Sequence, residues 1–107
     1  AGIGGKVALT VGEKIHQLGG SRQVLCVTHL AQVAAHADAH LRVEKASSTP
    51  RSTIQVDKLS GDQRVKEIAR MLSGNITAQS IAHAQELLGT TSTLQESPTE
   101  YLRNDEI

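Results

Sequence analysis

The chain has 107 residues, one domain or part of one, and a domain of this size buries roughly 60–70% of the surface its unfolded chain exposes. Its 11 Lys and Arg balance its 11 Asp and Glu, which argues against a nucleic-acid binder driven by bulk positive charge. Trp and Phe are absent and Tyr101 is the one aromatic, so base stacking is nearly excluded; the lone Cys26 excludes an internal disulfide and a Cys-rich zinc site.

The opening Ala1-Gly2-Ile3-Gly4-Gly5 has no Met and reads as a loop whose preceding strand has been cut away, which marks the chain as the C-terminal fragment of something longer. Lys6 to Leu18 is predicted helical, with Val7, Val11, Ile15 and Leu18 on one apolar stripe and Gly19-Gly20 as the stop. Residues 23–28 carry four consecutive apolar residues, Val24-Leu25-Cys26-Val27. They predict a strand buried on both faces, as in a parallel sheet under helices, with the Cys26 thiol shielded. Leu30 to Ala37 predicts a short helix, and helix, turn and buried strand set an α/β rhythm.

Leu41 and Val43 alternate with Arg42 and Glu44, and Ile54 and Val56 with Gln55 and Asp57; Ala46-Ser47-Ser48-Thr49-Pro50 lies between them. That pattern predicts a hairpin with one wet face. Two helices follow. Val65, Ile68, Ala69 and Leu72 form the apolar face of the first, with Ser60 and Gln63 as a capping box and Gly74 as its stop. Thr77 is a good N-cap for the second, which is predicted to end at Gly89. From Thr90 the chain is polar, with Pro98 and no apolar period, so 90–107 is expected to be a disordered tail. No run approaches the ~18 apolar residues of a membrane span and no signal segment is visible, so a cytoplasmic protein without membrane contact is expected.

Cys26-Val27-Thr28-His29-Leu30 places a histidine just beyond the predicted strand, at the carboxyl edge where α/β sheets bind ligands. An imidazole there can donate to a phosphate oxygen; the competing reading is a structural His capping a turn. Gly2, Ile3, Gly4 and Gly5 ahead of a helix could form a backbone nest for an anion, or a plain flexible end. They are not a Walker A loop, because Gly5-Lys6 is followed by Val7. His29, His36 and His40 with Asp38 match no standard metal spacing, so no metal site is expected. Lys66, Glu67 and Arg70 read as a solvated helix face.

Three segments carry a resemblance: Ala-Gly-Ile-Gly-Gly at 1–5, Val-Leu-Cys-Val-Thr-His-Leu-Ala-Gln-Val-Ala at 24–34, and Glu-Ile-Ala-Arg-Met-Leu-Ser-Gly at 67–74. Together they resemble the C-terminal end of the RecN family, bacterial DNA-repair ATPases related to the SMC proteins, over about residues 1–89. The resemblance implies an α/β fold: the C-terminal part of a P-loop NTPase, an ABC-type ATPase head, with a terminal hairpin and two helices. It implies that Gly2, Ile3, Gly4 and Gly5 belong to the D-loop and that His29 is the switch histidine facing the γ-phosphate. Many relatives carry Pro where this chain has Ala31. The Walker B acidic pair and the leading Asp of the D-loop would lie upstream of Ala1.

For the intact protein, the resemblance implies ATP and Mg²⁺ as cofactors, a second head as homodimer partner, and DNA as substrate in double-strand break repair and recombination. This segment lacks Walker A, Walker B and signature motifs, so by itself it is expected to hold no nucleotide and to hydrolyse none. The alternative from a different class is a small non-catalytic α/β interaction module in which His29 is only structural.

Overall fold

The computed structural model describes the backbone of residues 4–46 and 53–106, and the side chains of 4–45 and 53–92. Helix α1 (Gly5–Leu18) leads through an extended stretch into the short α2 (Ala31–Ala34). Strands β1 (His40–Ala46) and β2 (Thr53–Leu59) then pair antiparallel, and helices α3 (Gly61–Ser73) and α4 (Ala78–Glu106) follow. The core lies where α2, α3 and α4 meet: Ala31, Ala34, Ala35, Ile68, Ala69, Ala84 and Leu87. Four of these seven are Ala in α2, its C-cap and α3, so the helices approach closely and the core stays small.

Several local expectations are met. The predicted hairpin forms, with Val43 paired to Val56 and Arg42 to Asp57. In α3, Ile68 and Ala69 are fully buried, and the chain leaves the helix at Gly74 with φ 80°, a left-handed turn that glycine adopts without a Cβ clash. Thr77 caps α4: the Ser80 N–H donates to Thr77 Oγ1 at 3.1 Å, and the Thr77 N–H donates to Ser80 Oγ at 2.8 Å. This is a reciprocal box with serine in the place usual for Glu. The box predicted at Ser60 does not form, because the Ser60 side chain makes no cap hydrogen bond.

Three expectations fail. Residues 23–28 are not a strand: Leu25 is 84% and Val27 95% exposed, and Cys26 is exposed too. A strand needs neighbours for its N–H and C=O groups, and among the described residues β1 and β2 are the only strands. The α1 stripe faces outward, with Val7, Val11 and Leu18 exposed. The helix packs instead on Ala8 and Gly12, whose small size lets it approach α2. The hairpin forms, and its orientation is one that alternation leaves open. Its aliphatic face (Leu41, Val43, Ile54, Val56) is exposed, and its other face, with Arg42 and the buried Leu59, is turned to the molecule. Finally, α4 (Ala78–Glu106) runs through the predicted stop at Gly89. Ser80, Ala84, Leu87 and Thr91 form one buried stripe at helical spacing, and Thr91, 1% exposed, donates to the Ala35 carbonyl at 3.0 Å. A threonine ends that stripe, so hydropathy alone stops it too early.

Candidate functional site

A cavity of about 320 Å³ opens where the loop before α2 meets β1 and α3. Thr28 and His29 line it from the loop, His40 and Arg42 from β1, and Glu67 and Arg70 from α3. The loop is locally determined: Thr28 Oγ1 accepts the Leu30 N–H at 3.0 Å, a side-chain turn that presents the intervening His29 outward. His29 is exposed, and no described group holds its imidazole by a hydrogen bond or ion pair. A cap would be bonded to the backbone it caps. His29 lines the cavity and makes no cap hydrogen bond among the described residues.

Charge organises the wall opposite. Glu67 is 6% exposed and accepts from Arg70 Nε at 3.0 and 3.1 Å and from Arg70 Nη2, while Arg42 Nη1 lies 3.9 Å from its other face. Arg42 also meets Glu44 and Asp57. The hydrogen bond to Glu67 holds the Arg70 guanidinium above its ordinary pKa. Glu67 is therefore not part of a solvated face, as its charge pattern implied. It packs beside Ile68 and ties β1 to α3, and the Glu67/Arg70 spacing of three was the available signal. Burial lowers the pKa of His40, the nearby Arg64 charge lowers it further, and Glu67 opposes both.

Of the glycines, Gly2 and Ile3 lie outside the described residues. Gly4 is extended (φ −63°, ψ 154°) and caps α1 through its carbonyl, which accepts the Ala8 N–H at 2.9 Å. A methyl group built on Gly4 would meet nothing within 4 Å, and one on Gly5 would stand 3.5 Å from Gln32 Nε2 of α2. The fold thus brings Gly5 close to Gln32 of α2, three residues after His29. Among the described residues no three His, Cys, Asp or Glu side chains converge to hold a metal, so His29, His36, His40 and Asp38 form no ligand set. His36 is 3% exposed and packs under Gly12, with Nδ1 2.9 Å from the Gln32 carbonyl, which makes it a core residue.

A two-stranded sheet with helices packed beside it defines a small α/β domain. Comparison with known proteins goes further. The chain is 52% identical over 88 residues to the DNA repair protein RecN of Deinococcus radiodurans, covering 82% of this chain and 16% of that protein. Against RecN of Treponema pallidum the identity is 50% over 88 residues, and against RecN of Streptomyces coelicolor 48% over 93. No family model matches. The chain belongs to the RecN family, and it spans only 15–16% of the length of these relatives. No helix among the described residues is long and apolar enough to cross a membrane.

Proposed function

We propose that this chain is the C-terminal part of the ATPase head of a RecN-type DNA repair protein, acting in the cytoplasm in double-strand break repair and recombination. In this reading Gly2, Ile3, Gly4 and Gly5 belong to the D-loop and His29 is the switch histidine. The observation that carries it is the packing of α1 on α2, with Gly5 close to Gln32, in the segment that follows an exposed His29. Two features add support. The outward α1 stripe and the exposed apolar run at 24–27 are the surfaces a central sheet would cover. The charge balance of the chain leaves DNA contact to the rest of the protein.

Mg²⁺ and ATP, bound in the intact protein between two heads, supply the transferred phosphoryl group and the metal charge that stabilises it. The residues here contribute position. Nε2 or Nδ1 of His29 donates toward the γ-phosphate and steadies the attacking water, and glycines at the junction let backbones approach closely. Because this donor acts on charge that develops in the transition state, its loss lowers kcat more than ATP affinity.

The test is steady-state ATPase of the full-length protein carrying His29→Ala, beside His83→Ala, an exposed histidine of α4. His29→Ala is expected to lower kcat by about 10²–10³ with ATP binding retained, and His83→Ala to change neither. Wild-type kcat in His29→Ala would return His29 to a structural role and favour the interaction-module reading.

A further inference from the structure

The segment that carries His29 is held at its far end by two side chains from other helices. Arg64 of α3 aims Nη2 at three backbone carbonyls at the end of α2: Ala34 at 3.4 Å, Ala35 at 3.2 Å and Ala37 at 2.9 Å. Thr91 of α4, 1% exposed, donates to the same Ala35 carbonyl at 3.0 Å. A helix end leaves its last carbonyls without intrahelical donors. In a four-residue helix that is most of the element, so its position depends on what satisfies them. Backbone bonds, from the Val33 N–H on Leu30 to the Ala37 N–H on Ala34, hold the turn itself, but a helix this short is marginal without tertiary contacts.

From this we infer that Arg64 and Thr91 form a clamp that positions His29 through α2, a positioning role resting on the switch assignment above. His29 sits two residues before α2, and Thr28 fixes the turn between them, so displacement of the helix moves the imidazole directly. Arg64 is suited to this because a guanidinium supplies several donors in a rigid plane. A neutral apolar residue of similar length would fill the space and donate to none of them, leaving Ala34 with the Ala37 N–H, Ala35 with Thr91, and Ala37 without this donor. Asp38, exposed beyond α2, adds a favourable charge toward Arg64. Sequence inspection passes over both residues: Arg64 lies in a charged helix start, and Thr91 in a polar run.

The experiment uses the full-length protein with Arg64→Met, Thr91→Val and Thr91→Ser, each alone and combined with His29→Ala. Thr91→Val keeps the shape and removes the O–H donor, while Thr91→Ser keeps the donor. Misplacement of a reacting group by a fraction of an ångström to 1 Å costs up to 10² in rate, so Arg64→Met and Thr91→Val are each expected to lower kcat by about tenfold, with KM for ATP within about twofold. Thr91→Ser is expected to retain near wild-type kcat. In the His29→Ala background neither substitution should cost anything further, because the group they position is gone. An equal further loss in that background overturns the clamp, as does a lowered Tm with kcat retained. Should Arg64→Met fail to fold, the isosteric Thr91→Val decides the same question. Wild-type kcat in His29→Ala alone is a separate outcome: it removes the switch assignment, and the clamp with it.

Discussion

His40 shows how one residue's surroundings set its chemistry. It begins β1 half-buried, facing the Arg64 cation on one side and the Glu67 carboxylate on the other. Burial and Arg64 outweigh Glu67, so the folded pKa lies below the ordinary 6.5. The unfolded chain therefore takes up its proton first as pH falls. Between 6.5 and the lower folded value the unfolded state binds more protons, so stability decreases with acidification across that window and levels off below it. Denaturant midpoints of the 107-residue chain from pH 7.5 down to 5 are expected to fall. His40→Gln should flatten the slope relative to the parent; an unchanged slope would show that another group titrates there. The same scale explains why Glu67 was misread. A carboxylate in a run of charges looks solvated until a neighbouring strand supplies Arg42.

At the scale of elements, the close approach of α1 to α2 rests on Gly12. An ideal Cβ at that position would lie 2.4 Å from His36 Nδ1 and 3.0 Å from the Gln32 carbonyl. Gly→Ala inside a helix ordinarily stabilises by about 0.5–1 kcal/mol. Here overpacking against a buried ring and a backbone oxygen costs about 1–3 kcal/mol and wins. Gly12→Ala is expected to lower the thermal midpoint of the chain. Gly89→Ala, where the new methyl meets nothing within 4 Å, is expected to raise it. Equal effects at the two sites would contradict the packing of α1. The hairpin carries a related lesson. Alternation predicts two faces, but it is silent on which face turns inward. Ion pairs from Arg42 to Asp57 and Glu67 orient the polar face toward α3 and leave the aliphatic face outward.

For the whole molecule, the exposed apolar surface is the telling property. Leu25 and Val27 are almost fully exposed, beside an exposed Cys26, and the stripe of α1 adds Val7, Val11 and Leu18. Burying a side chain of this kind is worth about 1.5–3 kcal/mol, so a segment of four such residues gains strongly from a cover. Cys26 in the 107-residue chain is expected to react with a thiol reagent nearly as fast as in denaturant. In the full-length protein, where the proposed central sheet takes in residues 23–28, it should react far more slowly. Fast labelling in both would place these residues outside any sheet.

What the sequence by itself determined is whatever depends on near neighbours or on shared ancestry. The Gly74 exit, the Thr77 cap, the hairpin and the buried face of α3 each follow from local sequence patterns. Membership of the RecN family follows from three short segments read together. Tertiary structure decided the rest: the inward face of the hairpin, the packing side of α1, the burial of Glu67 and His36, and the extension of α4 past Gly89. Each depends on a partner more than about ten residues away. Thr91 is buried because the Ala35 carbonyl waits for a donor, and residues 23–28 stay extended and exposed because a strand cannot satisfy its own backbone.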